Sequence, residues 1–312
     1  MRIEISSLFH LLPRDETVAT KTLIGSGVYL ERLDGAWIDA VKDQCSKVRA
    51  REELELQKPY THRFFYELHD ADDLSHQIGS KAQQPIFRAT SLSRIVTPTS
   101  IPYSNVWVKS VSDSSGEWHF SEPVINGLNV AFGLKEYEWN TITETDALAM
   151  SSLWSSLSHF LDDRFEPTYR RIVRAIKYFE LAHTIYFAEL RYPIVHAALE
   201  SMICTTHRHN RAQVTQRLPQ LVSFVSTKQA EDIYLLCCDF KHAAQAMLHK
   251  STGTSEIDPL DQKRIDSVNL LHKAVRHLLL ESLKDRAFAD ILADPSNLRK
   301  TYQAFAPKGK LV

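Results

Sequence analysis

Tyr234-Leu-Leu-Cys-Cys-Asp-Phe-Lys-His-Ala-Ala-Gln-Ala-Met-Leu-His249 is the stretch whose reading decides the fold. Ile233, Leu236, Cys237, Phe240, Ala244, Met247 and Leu248 recur at helical spacing, so the segment is predicted to be a helix with one face turned to a core. At about 100° per residue, Cys238, His242, Gln245 and His249 gather on the opposite side, with Leu235 and Ala246 among them. That second face is too apolar for plain solvent and too polar for plain core. It is expected to meet a partner.

Helical stripes extend in both directions from this segment. Upstream, the pattern predicts a helix from Asp146 to Leu161, a long helix from Thr168 to about Ala188 with Pro167 in its first turn, and a third opening at Pro193 and running to Thr206. A shorter helix, Ala212 to Val225, precedes the one spanning Glu231 to His249. After the polar loop Lys250–Ser255, Pro259 begins a last long helix to Leu283. Packed in sequence, these elements make a bundle over 165–290. Before Thr145 the pattern is different. Val28–Leu33, Phe64–Leu68 and Ile86–Thr90 are rich in strand formers, and Asn105–Val111 and Glu117–Phe120 flank a Gly-bearing turn as a hairpin. One helix, Ile38 to Leu56, is predicted among them. The expected fold class is therefore an α+β N-terminal region, 1–145, followed by an all-α helical bundle, 146–312.

The helix around Tyr234–His249, together with Ala197-Ala-Leu-Glu200 upstream and the Leu270–Leu283 helix downstream, resembles the Apea-like HEPN domain family. The resemblance covers about 165 to 290 and rests on pattern. Active members of that family cleave RNA, using an Arg followed by a polar residue and, five to seven positions on, a His. In this chain Lys241 stands in the place of the Arg and His242 in the polar position. Residues 246 to 248, where the His should fall, are Ala246, Met247 and Leu248, and His249 lies one place beyond. The resemblance implies a catalytic set of Lys241, His242 and His249, RNA as substrate, no metal or other cofactor, and a place in a bacterial toxin or defence system. The departures from the motif equally fit a dimerisation module without chemistry, since Lys lacks the planar fork with which Arg grips a phosphate. In either case one patch that meets its own copy predicts a homodimer, with Leu235, Cys238, His242, Ala246 and His249 near the two-fold axis.

Charge is distributed unevenly. Residues 1–150 hold 15 Lys and Arg against 21 Asp and Glu, whereas 151–312 hold 22 against 17, so balances of −6 and +5 hide within an overall −1. Arg170, Arg171, Arg174 and Lys177 form a basic stripe that could track a phosphate backbone or remain solvated. The cysteines, Cys45, Cys204, Cys237 and Cys238, supply no disulfide framework. Cys204-Thr-Thr-His207-Arg-His209 matches no common zinc spacing, and Cys204 continues an apolar face, so it is read as structural. Gly25-Ser-Gly27 lacks the remainder of a phosphate loop and is read as a turn before a strand. The five tryptophans, Trp37, Trp107, Trp118, Trp139 and Trp154, are read mainly as core. No run approaches the ~20 apolar residues of a membrane span. Leu8–Leu12, stopped by Pro13, does not read as a signal peptide, and a cytoplasmic location is expected.

Overall fold

The computed structural model describes residues 2–11, 18, 21–44, 61–68, 84–99, 101, 105–111, 118–125, 141–185, 188–206, 208–241 and 259–303. It forms two compact units, Met1–Leu157 and Ser158–Val312.

Strands β1 (Arg2–Phe9), β2 (Thr22–Gly25), β3 (Val28–Arg32), β4 (His62–Leu68), β5 (Asn105–Val111) and β6 (Trp118–Ile125) build one sheet in the order β2-β3-β4-β1-β5-β6. Every pairing is antiparallel. Because side chains alternate along a strand, the register sorts residues onto two faces. Ile5, Phe9, Phe64, Leu30 and Val28 lie on one face and are fully buried there, with the Phe9 and Phe64 rings 4.8 Å apart. On the other face, Arg63 binds Glu4, donates to Glu31 at 2.7 Å and to Ser6 at 3.0 Å, and lies over the Trp37 and Phe65 rings. Its burial at the sheet surface is thus compensated by two carboxylates and two π faces.

The β2–β3 connection is tight. Ser26 and Gly27 both have positive φ, 47° and 80°, as a two-residue hairpin turn of the primed kind requires. Next to it the Trp154 indole is so close that a Cβ on Gly25 would sit 2.2 Å from Trp154 Cγ, and the indole N–H donates to Ser26 Oγ at 2.9 Å.

Helix α1 (Gly35–Gln44) follows Asp34, whose carboxylate accepts from the Ala36 N–H at 3.1 Å. The expected strand Ile86–Thr90 is a helix instead, α2 (Gln84–Val96). Its β-forming residues are part of a longer run whose Ile86, Ala89, Leu92 and Ile95 recur at helical spacing and are all fully buried. Thr90 and Ser93 turn their hydroxyls back onto the carbonyls of Ile86 and Thr90, which satisfies them inside a helix. Helix α3 (Glu144–Phe160) begins with a reciprocal cap in which Asp146 N–H donates to Thr143 Oγ1 and Thr143 N–H to Asp146 Oδ2.

The remaining described chain is helical: α4 (Glu166–Ala182), α5 (Ala188–Ile203), α6 (Asn210–Leu221), α7 (Thr227–Lys241), α8 (Pro259–Lys284), α9 (Arg286–Ala293) and α10 (Pro295–Thr301). Among the described residues no strand follows Thr143. Ile172, Ile176 and Phe179 of α4, Val195, Leu199 and Met202 of α5, Ile233 of α7, and Leu271, Val275 and Leu278 of α8 make the core. Two helix starts differ from expectation by a full turn or more. Pro193 lies inside α5, which opens at Ala188, and α7 opens at Thr227 rather than Glu231. The second difference has a clear cause: Ser226 Oγ accepts from Gln229 N–H at 3.2 Å while Gln229 Oε1 accepts from Ser226 N–H at 2.9 Å, a capping box one turn earlier. No described helix is long and apolar enough to cross a membrane.

Candidate functional site

The described part of the core stripe expected on α7 is in place, with Ile233, Leu236 and Cys237 buried and Phe240 meeting Tyr192 of α5 edge to face at 5.1 Å, whereas Ala244, Met247 and Leu248 lie outside the described residues. The Tyr192 hydroxyl donates to the Ile233 carbonyl at 3.0 Å, tying α5 to α7. On the opposite face Leu235 keeps 38% of its surface exposed, Cys238 is half-buried and Lys241 is exposed. Lys241 closes the described part of α7. His242 and His249, with Ala246 between them, lie outside the described residues, so two members of the expected catalytic set have no geometry to report.

Directly behind this end of α7 lies a polar interior that sequence reading missed. His196 of α5 is wholly buried, and neither ring nitrogen has a hydrogen-bond partner; Glu200 Oε1, one turn on, is 3.7 Å from Nδ1. Burial, reinforced by the nearby Lys241 ammonium, lowers its pKa to about 3, so the imidazole is neutral at ordinary pH. Tyr234 of α7 meets the His196 ring edge to face at 5.7 Å, and burial with the neighbouring Cys238 thiol pushes the phenol up to about 12. Burial likewise pushes the Cys237 and Cys204 thiols up to about 12, which makes them poor nucleophiles and poor metal ligands. Among the described residues no group of three or more His, Cys, Asp or Glu is arranged to hold a metal ion. His207 lies outside the described residues, and His209 is exposed in a left-handed conformation before α6.

The basic stripe of α4 does not act as a unit. Arg171 turns inward and donates to the Met202 carbonyl at 2.7 Å, Lys177 pairs with Glu166 at 2.8 Å, and Arg170 and Arg174 stay exposed. Arg217 of α6 works beside Arg171, donating to the Ile203 carbonyl at 2.8 Å and to the Tyr302 carbonyl at 2.9 Å. The two guanidinium groups thereby satisfy carbonyls at the C-terminus of α5, where a helix dipole favours cations. Above them, Arg171, Arg174, Tyr178, Glu200, Cys204 and Asn210 help wall a cleft of about 360 Å³. The spacing of one, three and three along α4 gave no sign of which arginine would face inward, because that depends on where α5 ends.

Comparison with protein-family models, curated proteins and solved structures returned no match. The fold and the residues themselves therefore carry the functional reading.

Proposed function

We propose that the second unit is a HEPN-type helical module that self-associates through the exposed face of α7 and acts on RNA, as an effector of a toxin or defence system. The observation that carries this reading is the position of Lys241, exposed in the last described turn of α7 beside the half-open Leu235 and Cys238 face. A cation there can neutralise a phosphate, and two copies meeting on this face would bring two such cations together. The balance of +5 over 151–312 suits an anionic partner. His242 and His249 follow as acid and base in cleavage through the ribose 2′-hydroxyl, a reaction that needs a proton acceptor, a proton donor and a cation but no metal.

A second reading, an interaction module without chemistry, is favoured by the groove next to Leu235. Asp232, paired with Lys263 at 3.3 Å, lines it together with Leu235, Leu236, Asp239 and Arg264, a mixed-charge, partly apolar surface suited to protein contact. Incubating the protein with labelled RNA in the presence of a chelator separates the two. Cleavage that persists in chelator and falls at least ~100-fold in His242→Ala or His249→Ala supports the ribonuclease, that being the usual contribution of a positioned acid or base. Lys241→Ala should also reduce it, and Lys241→Arg should restore or raise it. No cleavage of several RNAs by the wild type selects the interaction module.

A further inference from the structure

The first residues of the helical unit are held by a bond that only an uncharged imidazole can make. His159, in the last turn of α3, meets Arg286 of α9, with Nε2 and Nη2 2.8 Å apart. A guanidinium has donors and no lone pair, so Nε2 is the acceptor and the ring carries its proton on Nδ1. A protonated ring would instead turn an N–H towards a permanent cation and lose the bond. The same ring stacks on Phe165 at 4.0 Å and meets Tyr169 edge to face at 5.8 Å. Stacking survives protonation, because a ring face also attracts a cation, so the Arg286 bond is the contact that depends on charge.

Arg286 joins three elements. Its guanidinium lies 4.2 Å over the Tyr169 ring and 5.5 Å over the Phe160 ring, and its Nε is 3.5 Å from Asp290 Oδ1, which accepts from the Tyr169 hydroxyl at 2.6 Å. One side chain thus ties the end of α3 and the start of α4 to α9. Tyr169 is also where α4 is jointed: its φ of −101° and ψ of 19° are not helical, which sets the first turn apart from the rest. Both partners have somewhere to go if the bond breaks. Arg286 keeps Asp290. The imidazolium would turn to Asp162, whose carboxylate Arg164 holds well below the usual range by hydrogen bonding, so that it stays ionised in mild acid. Arg164 is itself exposed and free to swing aside. The charged and titratable groups about the ring are therefore Arg286 and Asp290 of α9, Tyr169 of α4, and Asp162 and Arg164 of the connection. Burial, then the Asp290 bond, pushes the Tyr169 phenol up, so it keeps its proton throughout. His159 is the member of this group whose charge changes in mild acid.

From this geometry we infer that His159 and Arg286 form a proton-sensitive latch, closed while the imidazole is neutral and opened by its protonation, which releases the end of α3 and the first turn of α4 from α9. Because the closed form excludes the proton, it is favoured at high pH and lost as pH falls. The latch depends neither on RNA cleavage nor on self-association. Hydrogen exchange of the full chain at about pH 8 and 5.5, corrected for the intrinsic pH dependence of exchange, tests it. Protection of residues 158–169 should fall at least ~3-fold at the lower pH in the wild type. His159→Gln, whose amide oxygen can accept from Arg286 without titrating, should keep the same protection at both. Equal protection of the wild type at the two pH values, or an equal fall in His159→Gln, overturns the inference. A double-mutant cycle of His159→Ala and Arg286→Ala in urea unfolding gives a second reading, in which acid effects from elsewhere in the chain cancel. Its coupling should be at least ~3-fold in the unfolding equilibrium constant at about pH 8 and absent or reversed at about pH 5.5. The same coupling at both, or none at the higher pH, overturns the inference as well.

Discussion

At the scale of single residues, Gly25 and His196 show how one position can depend on a distant partner. Any Cβ at Gly25 would overlap the Trp154 indole, 2.2 Å from Cγ, and a rigid ring cannot step aside as a flexible chain end can. Gly25→Ala should therefore lower stability by about 1–3 kcal/mol in urea unfolding. The cost should shrink in a Trp154→Ala background, where the obstructing ring is gone, and strict additivity would show that the clash is not the cause. His196 makes stability depend on pH. Its folded pKa is about 3 and its ordinary value 6.5, so below 6.5 the unfolded chain takes up a proton that the folded chain refuses. The stability due to the neutral ring is complete above that pH and is lost as pH falls towards 3, at up to about 1.4 kcal/mol per pH unit. His196→Leu should flatten this acid limb, measured as urea midpoints between about pH 6 and 4, and parallel slopes for the two proteins would refute the assignment. Neither role could be read from the sequence. Glycine before a turn is ordinary, and a histidine among Val195, Ala197 and Ala198 reveals its isolation only once α7 covers it.

Among the elements, the local signals that were read worked where they coincide with tertiary packing. Pro259 does open α8 and Pro167 does stand in the first turn of α4, because the missing N–H costs nothing there. Pro193 misled for the same reason in reverse: a proline marks a place where a helix can start without requiring that it start there. The short run Ile86–Thr90 misled because five residues of strand formers cannot distinguish periods of two and 3.6, and the surrounding buried positions decided for helix. The missed starts were nevertheless written in the chain. Thr143-Glu-Thr-Asp146 and Ser226-Thr-Lys-Gln229 are both capping boxes, and Asp285 and Asp294 cap α9 and α10 through Ala287 N–H and Ser296 N–H. Ser226→Ala should cost about 1 kcal/mol of stability, and Gln229→Glu, which keeps the acceptor, should cost little. Equal loss in both variants would mean that the Ser226 cap contributes nothing of its own.

Over the whole molecule, the passage near Thr145 was legible because the hydrophobic period changes there: every described strand lies before it, with α1 and α2 among them, and the regular elements described after it are helices. The site was legible only in part. Of the face expected to meet a partner, Leu235 and Cys238 are exposed and half-buried on α7 while His242, Gln245 and His249 lie outside the described residues, and which arginines of α4 face inward is settled by the end of α5. If the α7 face serves self-association, light scattering should give a dimer mass at tens of micromolar, a concentration suited to a modest interface, and Leu235→Glu should shift it to monomer. A monomer mass for the wild type would exclude that arrangement. The arginine pair under the cleft bears on the order in which this unit can be completed. Arg217 joins the end of α5 to the carbonyl of Tyr302, 85 residues further along the chain. On the ribosome, the corner between α5 and α6 must therefore wait with one of its guanidinium bonds unmade until Tyr302 has emerged. Folding of the helical unit is in this respect closed from its far end, and a chain released before that point would carry its defect in the middle, beneath the cleft.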